Sequence, residues 1–138
     1  MPRILIVESV HHQEIAKIMR DLVVSLLQEC NTNYEIISVP GALELASAVN
    51  LATLDSSTYD GAIVLGCILK GETLHYDIVA NQTIQSLQQI AIKKAIPLGT
   101  GVIMANNIEQ AIARTKKYAR GAFDACHALI ELKNRYTR

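Results

Sequence analysis

The sequence has 138 residues, with 13 basic and 13 acidic side chains, and half of its residues are hydrophobic. This length suits one domain with a full core, so residues 1–138 are expected to form a single domain. The charge balance lacks the basic excess of a nucleic-acid-binding protein. No apolar stretch reaches the roughly 20 residues of a membrane span, and MPRILIVE lacks the apolar core of a signal peptide. We therefore expect a cytoplasmic protein without nucleic-acid or membrane partners.

The first half of the chain predicts two strands, each followed by a helix. Residues 3–8 (RILIVE) and 34–39 (YEIISV) are short runs, rich in β-branched residues and bounded by turn formers. Between them, hydrophobic residues recur at helical spacing over residues 15–26. The helix expected after Pro40-Gly41 is apolar on more than one face. Such a helix must be covered on both sides, which predicts contact with a second subunit.

The second half predicts two more strands and three helices. The strands are residues 61–67 (GAIVLGC) and 97–104 (PLGTGVIM). A helix beginning near Leu74 or His75 follows the first of them. A short helix starts at Asn106 or Asn107, with Glu109 placed as in a capping box, and a last helix carries an apolar stripe over residues 119–130.

The alternation of strands and helices predicts an α/β fold. Near-continuous apolar strands suit a parallel sheet that is covered on both faces. Right-handed crossovers then favour a three-layer, flavodoxin-like sandwich, with a four-stranded sheet in the order 2-1-3-4.

Cysteine and histidine spacing predicts neither a disulfide framework nor a metal site. Cys30, Cys67 and Cys126 lie far apart, and no Cys-x-x-Cys pair occurs. His11 and His12 are adjacent, and adjacent residues of a helix point in different directions, which makes a poor metal pair. We therefore expect reduced thiols and no metal.

The most informative segment is Lys70-Gly71-Glu72-Thr73-Leu74-His75, which follows the third strand. Ligands of open parallel sheets bind beyond the carboxyl ends of strands. Free N–H groups at the start of the next helix favour an anion such as phosphate. His75 at that helix start would hold a neutral imidazole suited to proton transfer, or would simply cap the helix.

Two further positions have both a functional and a structural interpretation. Glu44 falls in the first helical turn after Val39-Pro40-Gly41, where it either accepts ligand hydroxyls or complements the helix dipole. Arg114 either pairs with phosphate or belongs to a solvated basic run. The sequence has neither the Gly-Lys-Ser/Thr ending of a P-loop nor a Gly-x-Gly-x-x-Gly fingerprint.

Three segments together resemble the lumazine synthase family of riboflavin biosynthesis. They are VPGALELASAV (residues 39–49), YDGAIVLGCILKGETLHYDIVANQ (residues 59–82) and GVIMANNIEQAIAR (residues 101–114). The resemblance implies a transferase that condenses 5-amino-6-(D-ribitylamino)uracil with 3,4-dihydroxy-2-butanone 4-phosphate. It also implies that no cofactor or metal is needed, and that pentamers, or multiples of them, carry sites at subunit interfaces.

The resemblance also assigns roles to residues. His75 matches the proton-transfer histidine, Glu72 and Thr73 match the phosphate loop, and Arg114 matches the phosphate-pairing arginine. The positions that match contacts to the pyrimidine and the ribityl chain are Ala42, Leu43, Glu44, Cys67, Ile68 and Leu69.

Several positions depart from the family pattern. His11 stands where a Phe usually stacks on the pyrimidine, and Thr100 replaces a second aromatic residue. The segment after Arg114 is shortened, so Arg120 is only an uncertain match for a family lysine. The lost aromatic residues leave a non-catalytic flavin- or lumazine-binding shell protein as the alternative function. A riboflavin synthase of the same fold is disfavoured because it should lack the phosphate-binding residues.

Overall fold

The computed structural model describes residues 2–72 and 74–137. Its regular elements alternate along the chain, with one short 3₁₀ turn at Ala42–Glu44. The elements are β1 Arg3–Ser9, α1 Gln13–Glu29, β2 Asn33–Val39, α2 Leu45–Ala52, β3 Gly61–Leu69, α3 Tyr76–Lys94, β4 Leu98–Ala105 and α4 Ile108–Tyr136.

The four strands form one parallel sheet in the order β2-β1-β3-β4. This confirms the predicted order. Ile6 of β1 is in register with Ile36 of β2 and Ile63 of β3. All nine residues of β3 are buried, as expected for a central strand with helices on both faces.

Each face of the sheet has its own hydrophobic core. The first core contains side chains of α1 and α4 together with Ile6, Ile63 and Ile103. The second contains side chains of α2 and α3 together with Val7 and Val64. The three-layer α/β architecture is therefore confirmed, and the connections that follow the strands gather at one edge of the sheet.

The carboxyl-terminal helix differs from the prediction. The sequence predicted a short helix followed by a separate last helix, but α4 is a single helix of 29 residues. Gly121 lies inside it, and a side chain at this position would meet nothing within 4 Å. Because glycine lowers helix propensity without blocking the backbone hydrogen bond, Gly121 weakens the helix but does not end it.

The start of α4 is capped by Asn107, one of the two predicted starting residues, but the second capping contact comes from Gln110 and not from Glu109. Asn107 is the N-cap residue, and its Oδ1 accepts a hydrogen bond of 2.9 Å from the backbone N–H of Gln110. Gln110 Oε1 in turn accepts from the backbone N–H of Asn106 at 2.9 Å. Gln110 therefore takes the reciprocal role that the sequence assigned to Glu109.

Glycine lets α4 lie directly on the edge strand β4. A Cβ atom at Gly99 would stand 1.8 Å from the carbonyl oxygen of Ala122, and one at Gly101 would stand 2.9 Å from the carbonyl oxygen of Tyr118. The helix backbone therefore touches the strand backbone, and no side chain fits between them.

We expect Gly99→Ala to destabilise the protein strongly, because the new methyl group overlaps the main chain of α4. Overpacking of this kind costs roughly 3 kcal/mol or more. Gly121→Ala is the matched control and should stabilise α4 by about 0.5–1 kcal/mol, since its methyl group meets open space. Thermal unfolding at one fixed protein concentration measures both. Equal midpoints for the two variants would contradict the close approach.

Candidate active site

A cavity of about 240 Å³ opens at the carboxyl edge of the sheet. Three segments form it: the β1–α1 loop, the turn before α2, and the end of β3 with the loop after it. Eight of the predicted site residues line this cavity: His11, Ala42, Leu43, Glu44, Cys67, Ile68, Leu69 and Glu72. The structure thus gathers most of the predicted pyrimidine and ribityl positions around one space.

The end of β3 supplies the apolar part of the cavity. Cys67, Ile68 and Leu69 are all buried, and the next residue, Lys70, donates its backbone N–H to the carbonyl of Ala105 at 2.8 Å. Burial, reinforced by the nearby carboxylate of Glu72, raises the pKa of the Cys67 thiol to about 11. Cys67 is therefore a neutral, apolar group near pH 7 and not a nucleophile.

The turn before α2 holds Glu44 by two reciprocal hydrogen bonds. Glu44 Oε1 accepts from the backbone N–H of Gly41 at 2.9 Å, and Glu44 donates its own N–H to the carbonyl of Gly41 at 3.2 Å. Both interpretations of Glu44 are compatible with this geometry. One carboxylate oxygen stabilises the start of the turn, and a carboxylate has a second oxygen that can accept from a ligand.

His11 and His12 lie in the loop before α1, outside any helix. His11 Nε2 lies 3.3 Å, and His12 Nε2 3.2 Å, from the same atom, Oε2 of Glu72. The two rings stack edge to face with their centroids 4.7 Å apart. The two histidine side chains therefore do not diverge as they would on a helix, which was the reason for expecting no metal site.

His75 lies beside this cavity and not in it. It is the N-cap residue of α3, is exposed, and accepts at its carbonyl the backbone N–H of Val79 at 2.9 Å. It lines a neighbouring recess with Lys70, Gly71 and Tyr76. Gly71 allows the sharp turn between the two spaces with φ +97°, a conformation that favours glycine. The predicted residue Thr73 lies outside the described residues.

Three predicted residues lie away from the cavity of their own chain. Arg114 is half-buried and donates to the carbonyl of Met104 at 2.9 Å. Because the neighbouring carbonyl of Ala105 points toward β3, the carbonyl of Met104 points to the free edge of the sheet. Arg120 is exposed and pairs with Asp124 at 3.6 Å.

Thr100 is the third such residue, and it lies in the middle of β4. Its Oγ1 is shielded from solvent and has no hydrogen-bond partner in the part of the chain that the structure describes. Neither its contact with a ligand nor that of Arg120 is tested by a single chain, so both assignments stay predictions.

Three cavity residues were not predicted as ligand contacts: His12, Gly41 and Val79. Gly41 and His12 adjoin predicted residues, so the adjacency itself was the available signal. Val79 lies one turn into α3, and only the packing of that helix over the strand end brings it to the cavity.

The described helices include none with the length and hydropathy that crossing a membrane requires.

All three cysteines are free thiols, of which Cys30 is exposed while Cys67 and Cys126 are buried. Burial raises the pKa of Cys126 to about 12.

We expect one thiol per chain to react rapidly with a disulfide reagent at pH 8, namely Cys30. Since the thiolate is the reactive form, raised pKa values keep Cys67 and Cys126 slow at this pH, and labelling of Cys67 should accelerate only as the pH approaches 11. Cys30→Ser should remove the fast phase and Cys67→Ser should leave it unchanged. A second fast thiol at pH 8 would contradict the raised pKa values.

Comparison with known proteins gives one consistent family. Residues 1–136 match the family model described as 6,7-dimethyl-8-ribityllumazine synthase. A protein of that name from Bartonella tribocorum is 37% identical over 98% of this chain and 92% of its own length. The one from Agrobacterium fabrum is 37% identical over 97% of this chain and 96% of its own.

A further relative, 6,7-dimethyl-8-ribityllumazine synthase 1 of Rhizobium meliloti, is 40% identical over 96% of this chain and 92% of its own length. The matched residues 1–136 include every segment that lines the cavity, from the β1–α1 loop to the loop after β3 and the first turn of α3. With its 2-1-3-4 parallel sheet and the cavity at its carboxyl edge, this chain belongs to the 6,7-dimethyl-8-ribityllumazine synthase family.

Proposed function

We propose that the protein condenses 5-amino-6-(D-ribitylamino)uracil with 3,4-dihydroxy-2-butanone 4-phosphate to 6,7-dimethyl-8-ribityllumazine, in riboflavin biosynthesis. The amine and the ketone form an imine with loss of one water, phosphate is eliminated, and ring closure releases a second water. The observation that carries this proposal is the cavity at the end of β3, in which eight predicted ligand positions meet.

The cavity suits the pyrimidine and its ribityl chain. The strand end Cys67–Leu69 and the side chain of Leu43 offer apolar surface to a flat ring, and Leu43 is more than half exposed in the single chain. The carboxylate of Glu44 can accept from ribityl hydroxyls with the oxygen that does not bind Gly41. His11 takes the position beside the ring where an aromatic side chain would stack.

The recess beside His75 suits the phosphate ester. The first N–H groups of the 19-residue helix α3 open there, and helix starts of this kind bind phosphate. His75 at the same helix start can carry protons between the amine, the imine and the leaving phosphate. Holding the two substrates side by side supplies much of the rate enhancement, because the condensation needs the amine and the carbonyl close together and correctly oriented.

We also propose that the site is completed by a second copy of the chain in a homo-oligomer, a pentamer or a multiple of it. Arg114 lies at the free edge of β4, whereas the cavity lies on the other side of β3, toward β1. A guanidinium at an open sheet edge is placed to reach the recess of a neighbouring chain and pair with phosphate there.

Exposed apolar side chains support this assembly. Leu51 near the end of α2 and Leu54 just after that helix are 66% and 74% exposed, and Ile92 of α3 is 79% exposed. Leu129, Leu132 and Tyr136 add apolar surface on α4, where a groove of about 340 Å³ runs toward Ile92. Exposed apolar surface of this kind is typical of subunit interfaces. The free thiols suit a cytoplasmic location, which we propose as well.

Mixing the purified protein with both substrates should produce the lumazine chromophore and inorganic phosphate. His75→Ala should lower kcat by roughly 100-fold, the lower range for loss of a proton carrier, and leave both substrates bound, because orientation persists without the imidazole. The steady-state rate of lumazine absorbance measures kcat. Ligand binding without turnover in the unmodified protein would favour a non-catalytic lumazine-binding protein instead.

Arg114→Ala should raise the KM of the butanone phosphate by about 10- to 100-fold, since a charge-assisted bond to phosphate contributes about 1.5–3 kcal/mol. The KM of the uracil substrate should hardly change. Lys116→Ala removes a charge from an exposed position of the same helix and serves as the control. An equal rise in both KM values would contradict the phosphate assignment.

The same variant tests whether the site is shared. Subunits carrying His75→Ala and subunits carrying Arg114→Ala are dissociated, mixed in equal amounts and reassembled. If each site takes its histidine and its arginine from different chains, about a quarter of all sites in the random mixture regain both residues, and activity rises above that of either parent. No recovery would place both residues in one chain's site.

A further inference from the structure

Two histidines and a glutamate converge at the mouth of the cavity. His11 and His12 come from the β1–α1 loop, and Glu72 comes from the loop between β3 and α3. One nitrogen from each ring and one carboxylate oxygen all lie within 4.8 Å of one another. Two imidazoles and a carboxylate form a common set of ligands for a divalent transition-metal ion.

The two distances from Glu72 Oε2 match metal ligation better than hydrogen bonding. Two ligand atoms that each lie about 2.1 Å from a tetrahedral Zn²⁺ are about 3.4 Å apart. The two contacts of Glu72 Oε2, at 3.3 Å with His11 Nε2 and 3.2 Å with His12 Nε2, are close to this separation. An N–H···O hydrogen bond is usually 2.9–3.0 Å long. Both histidine contacts of Glu72 Oε2 are longer than this, so each would be a weak hydrogen bond.

The three side chains divide into a fixed part and an adjustable part. The side chain of His12 is only 12% exposed, so its ring is held by its surroundings. The side chain of His11 is 67% exposed and that of Glu72 is 45% exposed, so both can close around an ion by small rotations. The open side of such a three-ligand site faces the cavity, where water or a ligand atom would complete the coordination.

We propose that His11, His12 and Glu72 bind one divalent transition-metal ion of the Zn²⁺ class, and that this ion excludes the pyrimidine substrate from the cavity. Imidazole nitrogens select Zn²⁺ or Co²⁺ over Mg²⁺, which prefers oxygen ligands. All three ligands line the cavity of about 240 Å³. An ion with its bound water would therefore occupy the space beside His11 in which the pyrimidine ring of the substrate would stack. The exclusion rests on the proposed function, whereas the metal site does not.

The first test is metal binding without substrate. Titration of the apoprotein with Zn²⁺ against a chelating indicator should give one site per chain, and Co²⁺ should develop the visible absorption of a tetrahedral complex. Mg²⁺ should not compete. Glu72→Gln and His12→Asn should each weaken Zn²⁺ binding by at least about 10- to 100-fold.

His127→Gln is the matched control, because His127 is an exposed histidine on α4, where it stacks on Phe123. It should leave the titration unchanged. Thermal unfolding without metal shows that each variant is folded, and Zn²⁺ should raise the unfolding midpoint of the unmodified protein but not that of Glu72→Gln. No uptake by the unmodified protein, or equal uptake by Glu72→Gln, would overturn the site.

The second test is exclusion. Saturating Zn²⁺ should weaken binding of 5-amino-6-(D-ribitylamino)uracil to the unmodified protein at least 10-fold by mass action, and a chelator should restore it. In Glu72→Gln the uracil affinity should be independent of Zn²⁺. An unchanged affinity in the Zn²⁺-loaded protein would overturn the exclusion. If no lumazine forms in the activity assay, only the proposed function fails, because metal uptake is measured without substrates.

Discussion

The structure depends on the complete burial of β3. Its nine residues include no charged side chain and none exposed to solvent, so the strand requires a neighbouring strand on each side and helices on each face. The chain meets this requirement with β1 and β4 as neighbours, α1 and α4 on one face, and α2 and α3 on the other. The parallel order follows, because every crossover between strands contains a helix.

The same constraint decides where ligands can bind. A strand with no exposed residue can meet a ligand only at its end, and the last three residues of β3, Cys67–Leu69, line the cavity. Glu44 and His11 reach that space from the ends of the two preceding strands. The loop after β3 then turns at Gly71 toward a separate recess beside His75. The end of β3 and the loop after it thus separate the apolar cavity from the recess at the start of α3.

Most of the cavity positions came from the resemblance to the lumazine synthase family. Periodicity and composition predicted the strands, most of the helices and the parallel sheet, because burial imposes both patterns on the sequence. They failed where the outcome depends on backbone details that leave no periodic pattern. The continuity of α4 through Gly121 was missed, since glycine looks like a stop unless the open space around it is known. The convergence of His11 and His12 on Glu72 was missed because loop conformation, and not helical spacing, directs the two rings. The proposed contact of Arg114 with a neighbouring chain could not follow from the hydrophobic pattern of a single chain.

The contact between Gly99 and the carbonyl of Ala122 has a consequence for the precision of the proposed site. Main chain touches main chain there, so no rotamer change can alter the height of α4 above β4. Arg114 lies about two turns before Ala122 on the same helix and binds the strand carbonyl of Met104. The backbone interface therefore fixes the helix that carries this guanidinium. The entropy cost of ordering the helix falls on folding, so it does not weaken the proposed binding of phosphate.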